Sequence, residues 1–175
     1  GRLDITVGQV ELEPIFKGVM STAVGLVGGK PVKLTRETPD PVPDVLGDPV
    51  RVRQVLLNLY SNAAKFTDEG FIKLAMQVDE ANQRAIISVQ DTGEGIQPED
   101  LAQIFEEFKQ GTSGRKQARA GSGLGLTISR QLLGLMGGDI WAESVYGEGS
   151  TFFVALPLYT PEAEAATNLT AEHGA

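Results

Sequence analysis

The chain has no cysteine and a single histidine. Without cysteine there is no disulfide framework, no thiolate metal site and no thiol nucleophile. The lone His173 stands in AEHGA close to the C-terminal end. A histidine-based triad and a zinc site built on several histidines are therefore excluded too. No apolar run approaches the roughly 18 residues of a membrane-spanning helix, and no signal peptide opens the sequence. Basic residues are outnumbered, 15 Lys and Arg against 23 Asp and Glu, for a formal net charge of −8. Such a surface repels nucleic acid and anionic lipid, so neither is an expected partner, and a cytoplasmic setting is expected.

What is present is ordinary in bulk. The 175 residues are 41% hydrophobic and 22% charged, which suits one domain with a real core. The unusual number is 21 glycines, and they are clustered.

Residues 1–14 alternate apolar and polar side chains and predict an edge strand ended by Pro14. Helical spacing follows over 15–29, closed by Gly28 and Gly29, then a short strand over 31–37 and a Pro-rich loop over 38–48. Asp48 before Pro49 is an N-cap followed by proline at the first helical position, and predicts a helix over 49–66. Period-two alternation over 70–80 and 84–91 predicts a hairpin, and a second hairpin is predicted over 139–158. A glycine loop over 91–100 opens a short helix at Pro98, and a helix runs over 124–138. Residues 105–123 are rich in Gly, Ser, Lys and Arg and predict a loop, while 159–175 are small, polar and acidic and are expected to be disordered. These elements make an α+β protein: a two-layer sandwich with about five strands, mostly antiparallel, and three main helices on one face.

Four stretches carry chemistry. In NLYSNAAKFT, Asn58, Asn62 and Lys65 fall within about 60° of one another on a helix, at the edge of the apolar stripe of Val55, Leu59, Ala63 and Phe66. An amide oxygen is a hard ligand suited to Mg²⁺, and an ammonium suits phosphate. In DTGEGI, Asp91 ends an apolar strand and needs donors if buried; the exocyclic amine of a purine is one that fits, with Gly93 and Gly95 leaving room for a flat ligand. In GSGLGL, Gly121, Gly123 and Gly125 precede and open a helix, where backbone N–H groups and the helix dipole favour a polyphosphate. GEGSTF is a turn in the second hairpin. Taken singly, each has an ordinary reading: a solvated helix face, an Asp-led turn, a glycine-rich helix start, a hairpin.

In order, NLYSNAAKFT, DTGEGI, FEEFKQ, GSGLGL and GEGSTF resemble the N, G1, F, G2 and G3 boxes of histidine protein kinases, within the ATPase superfamily of gyrase B, Hsp90 and MutL. The resemblance covers about residues 7–158. It implies the Bergerat-type sandwich with ATP under a lid at 108–122. It implies Mg²⁺ held by Asn62, with Asn58 beside the metal and Lys65 on phosphate. Asp91 would take the adenine amine, with Gly93 and Gly95 shaping the pocket. Gly121, Gly123, Leu124 and Gly125 would wrap the phosphates, Phe105 and Phe108 would anchor the lid, and Lys109 would reach the γ-phosphate. One departure is Glu107, where many kinases have proline.

Hydrolysing members of the superfamily carry a Glu, the general base, where this chain has Asn58, and an amide accepts no proton at neutral pH. The expectation is thus a kinase catalytic domain that passes the γ-phosphoryl group to a histidine on a separate dimerisation domain, with a response regulator downstream. Residues 1–8 would be the junction from that domain, and residues 1–158 the catalytic unit, monomeric and inactive in autophosphorylation without its partner. The full-length protein is compatible with a membrane anchor. The alternatives are an ATP-hydrolysing switch of the gyrase or Hsp90 kind, a serine kinase acting on a regulatory protein, and a degenerate nucleotide-binding interaction module.

Overall fold

The structure, a computed structural model, describes residues 4–106 and 124–173, with side chains described for 4–106 and 125–168. In chain order the described elements are β1 (Gly8–Val10), α1 (Leu12–Val27), β2 (Val32–Glu37), β3 (Val45–Gly47), α2 (Pro49–Phe66), β4 (Gly70–Asp79), β5 (Arg84–Asp91), the single turn α3 (Pro98–Leu101), α4 (Leu124–Leu135), β6 (Asp139–Val145), β7 (Gly149–Pro157) and α5 (Pro161–His173).

Five strands form one sheet in the order β2-β4-β5-β7-β6. The β2–β4 pair is parallel and the rest antiparallel, so the sheet is mixed and mostly antiparallel. A small antiparallel pair, β1 with β3, adjoins it, with Val45 bridged to Leu158 just past β7. Alternation decides which face is buried: Ile72, Leu74 and Met76 of β4, Ala85, Ile87 and Val89 of β5, and Phe152 and Val154 of β7 all turn inward. They share one core with α1 (Leu12, Phe16, Val19), α2 (Val55, Leu56, Leu59, Tyr60) and α4 (Leu126, Leu132, Leu133). On the other face Trp141 stacks on Phe153 with ring centroids 5.3 Å apart.

Helix α2 positions the site, and its sequence specifies both ends. The Asp48 carboxylate accepts from the N–H groups of Val50 at 3.0 Å and Arg51 at 3.4 Å, and Pro49 occupies the first turn, where no N–H partner is needed. The helix buries Val52, Val55, Leu56, Leu59, Tyr60, Ala63 and Ala64. Each of the larger aliphatic side chains contributes about 1.5–3 kcal/mol by burial.

Three sequence expectations give way. Residues 1–14 are not one edge strand: β1 covers only Gly8–Val10, and α1 begins at Leu12. Pro14 sits in the first turn of α1, where a missing N–H costs nothing, so it does not end an element. The Pro-rich loop contains β3, whose three residues are all buried and pair with β1. The segment expected to be a disordered tail carries α5. The Thr160 hydroxyl caps it by accepting from Ala163 N–H at 3.0 Å, Pro161 opens it, and Glu162 and Glu164 in the first turn complement the helix dipole. The Tyr159 hydroxyl donates to Glu164 at 2.9 Å.

Candidate functional site

Asn58 lies midway along α2, half-buried. Its Nδ2 donates to the Gly125 carbonyl at 2.7 Å and to Ser129 Oγ at 3.2 Å, tying α2 to the first turns of α4. Glycine at 125 leaves room for this contact: a Cβ there would stand 2.9 Å from Asn58 Nδ2 and the amide would have to shift. One turn on, Asn62 has a buried Nδ2 with no hydrogen-bond partner. The two ends of an amide are assigned from their partners, so the unpaired position holds either an N–H donor or, with the amide turned, the oxygen that suits a hard cation. Lys65 is exposed, with Nζ 5.5 Å above the Phe66 ring.

The end of α2 meets the turn after β5. Asp91 is only 2% exposed. Its Oδ1 accepts from Gly93 N–H at 2.9 Å and from Ser150 N–H at 3.3 Å. A Cβ on Gly93 would overlap the Phe66 carbonyl oxygen. Gly95, at φ +75°, lies so close to the Val145 carbonyl that a Cβ would overlap it. Both glycines are thus demanded by backbone packing against α2 and the β6–β7 turn.

Lys65, Phe66, Asp68, Glu69, Thr92, Gly93 and Glu94 line a cleft of about 240 Å³ at this junction. A larger open groove of about 390 Å³ along α2 shares only Asn58 with the candidate residues. Phe105 packs edge-on against Phe152, centroids 6.2 Å apart.

Asn58, Asn62, Lys65, Asp91, Gly93 and Gly125 therefore follow one another along a single wall, from the start of α4, down α2 and across to β5. Gly95 holds the turn behind that wall. Leu124 opens α4. Phe108, Lys109, Gly121 and Gly123, with the expected lid over 108–122, lie outside the described residues.

Sequence reasoning missed three supporting groups. The Ser144 hydroxyl accepts from Ile96 N–H at 2.7 Å and pairs with Ser150 Oγ at 2.8 Å, pinning the glycine turn to β6 and β7. Thr92 Oγ1 accepts from Phe71 N–H at 2.9 Å, holding that turn to β4. Ser150 and Thr92 stood inside quoted stretches; Ser144, in an alternating strand, gave no signal.

Among the described residues no three His, Cys, Asp or Glu side chains cluster as a metal site, and no helix is long and apolar enough to cross a membrane. A metal here would rest on the Asn62 amide and on oxygens of its own ligand, the sparse coordination that Mg²⁺ accepts with phosphates.

Residues 47–160 match the family described as histidine kinase-, DNA gyrase B-, and HSP90-like ATPase. The sensor protein TorS of Escherichia coli (strain K12) is 44% identical over 149 residues, covering 85% of this chain and 16% of TorS. The chain thus spans less than a fifth of that relative. Full-length ShkA, solved in complex with AMPPNP, superposes with a TM-score of 0.77 at 31% identity, over 91% of this chain and 33% of ShkA. The nucleotide-free catalytic domain of histidine kinase ThkA superposes with a TM-score of 0.73 at 27% identity, over 89% of this chain and 97% of that domain.

Proposed function

The chain belongs to the histidine kinase-, DNA gyrase B- and HSP90-like ATPase family, and from that premise we propose that it is the Mg·ATP-binding catalytic domain of a sensor histidine kinase. It passes the γ-phosphoryl group of ATP to a histidine on a separate dimerisation domain, leaving ADP. A response regulator then takes the phosphoryl group. In this reading the domain works on the cytoplasmic side, as a monomer, and residues 1–8 join it to the acceptor domain.

The observation that carries the reading is the wall itself, with a buried, unsatisfied Asn62 amide between an Asn58 strut and the Asp91 turn. Asp91 would take the adenine amine, with Gly93 and Gly95 setting its turn. Asn62 would hold Mg²⁺, which would supply charge neutralisation to the phosphates. Lys65 adds a point charge for phosphate, and Asn58 holds the start of α4, with Leu124 and Gly125, against them. Phe105, Phe108, Lys109, Gly121 and Gly123 complete the proposed nucleotide-binding set. Phosphoryl transfer is mostly positioning and charge stabilisation, so a site without a general base suffices when the acceptor brings its own nucleophile. Asn58, whose amide donates to Gly125 and Ser129, is placed as a strut and cannot take a proton from water.

Calorimetry with Mg·ATP and ADP, with phosphate release followed in the same sample, tests this. Saturable binding with negligible release is expected, and phosphotransfer only when a histidine-bearing dimerisation domain is added. Steady release by the domain alone would overturn the assignment of Asn58.

A further inference from the structure

Lys30 lies in the loop between α1 and β2, outside every motif discussed above. Its Nζ donates to the Ala64 carbonyl at 2.9 Å and to the Thr67 carbonyl at 3.3 Å. It also stands 3.6 Å from Asp68 Oδ1. Ala64 is among the last four residues of α2, whose carbonyls have no partner within the helix. Helix α2 has no glycine cap to absorb them: its C-cap, Thr67, is extended at φ −113° and ψ 115°, and the chain leads straight into β4. The ammonium of Lys30, with three donors, takes over that task and neutralises the negative end of the helix dipole. The same loop is fastened a second time, where Pro31 accepts from Gly70 N–H at 3.1 Å.

The end of α2 is where the two halves of the wall meet. Gly93 packs on the Phe66 carbonyl with no room for a Cβ. Lys65 and Phe66 line the cleft, and Asn62 is one turn away. Asn62 and Lys65 stand on the last two turns of α2, the end that Lys30 clasps.

We infer that Lys30 is a positioning residue for nucleotide binding: by clasping the Ala64 and Thr67 carbonyls it fixes the metal and phosphate half of the site against the adenine half. It touches no nucleotide itself. The inference rests on the nucleotide-binding reading above. Asp68 is a minor partner, since its side chain is 93% exposed and such a pair contributes little.

The test is calorimetry on the intact domain, with Mg·ATP and with adenosine, well below the melting temperature and with folding checked by circular dichroism. Lys30→Met keeps the alkyl stem and removes the donors. It is expected to weaken Mg·ATP binding by about five- to tenfold while adenosine, which engages only the adenine half, loses less than about twofold. Lys30→Arg restores most of the loss, and Lys30→Gln, with one carbonyl within its reach, falls between. A merely weakened fold would not separate ATP from adenosine. Wild-type Mg·ATP affinity in Lys30→Met, or equal losses for both ligands in Lys30→Met or, should that variant not fold, in Lys30→Gln, would overturn the role of Lys30 alone. A wild-type domain that binds neither ligand would overturn the nucleotide reading and this role together.

Discussion

Gly125→Ala sets two effects of similar size against each other, and they are read by different assays. The new Cβ would lie 2.9 Å from Asn58 Nδ2 and 3.1 Å from its Oδ1, so the Asn58 side chain must retreat by several tenths of an ångström. That weakens the 2.7 Å bond to the Gly125 carbonyl, a loss of about 0.5–1.5 kcal/mol. Replacing glycine in the first turn of α4 returns up to about 1 kcal/mol of helix propensity. The net change in stability is within about 1 kcal/mol of zero, a shift of roughly 4 °C at most in melting temperature. Nucleotide binding has no compensating gain, because the strut between α2 and α4 has moved. Mg·ATP affinity is expected to fall by up to about tenfold, the equivalent of about 1.4 kcal/mol. The matched control is Gly134→Ala on the same helix, where a Cβ meets nothing within 4 Å. It should gain stability and leave affinity alone. Calorimetric affinities and thermal melts of both variants decide the matter. Unchanged affinity in Gly125→Ala would refute the claim that the Asn58–Gly125 contact shapes the site.

Three more outcomes are expected. Asn62→Ala removes a buried Nδ2 with no partner, so the nucleotide-free protein should melt at the same temperature or higher while Mg·ATP binding weakens more than binding of ATP in EDTA; equal losses in the two titrations would remove the metal assignment. The Arg36 guanidinium, bonded to Glu13, holds that carboxyl below its ordinary value of 4.5, against a smaller opposing effect of desolvation. A depressed carboxylate pKa contributes stability above about pH 4.5 and loses it as the pH falls through the folded-state value, so the melting-temperature gap between wild type and Glu13→Gln should be present at neutral pH and close in acid; a gap independent of pH would refute the pairing. Deleting residues 161–175 removes α5, whose described side chains are exposed or half-buried, and should lower the melting temperature by no more than about 4 °C, the equivalent of about 1 kcal/mol.

Helix α2 was readable in the sequence to its last residue because two strong local signals bound it, the Asp48–Pro49 start and the loss of apolar spacing at Asp68–Glu69–Gly70. The two hairpins were readable from alternation, since one face of the sheet is core and the other is not. The wall of Asn58, Asn62 and Lys65 was readable because polar groups at helical spacing beside an apolar stripe need a reason. Other features were hidden for physical reasons. Proline both ends strands and opens helices, so Pro14 alone did not decide between them. A three-residue strand such as β3 has too few positions to show a period. Helix α5 is small and acidic, a composition shared by disordered tails, and its cap at Thr160 is a single hydroxyl. The roles of Ser144 and Lys30 depend on partners 48 and 34 residues away, and no local pattern encodes such pairings.

Asp48 does two jobs with its two oxygens. Oδ1 caps α2, and Oδ2 accepts from Thr6 N–H at 2.9 Å, while the neighbouring Arg51 Nε donates to the Asp4 carbonyl at 3.1 Å. Residues 4–6 are therefore harnessed to the head of the same rod that carries Asn58 about 15 Å further along. A displacement of residues 4–6 would act first on one carboxylate and one guanidinium, both at the head of that rod.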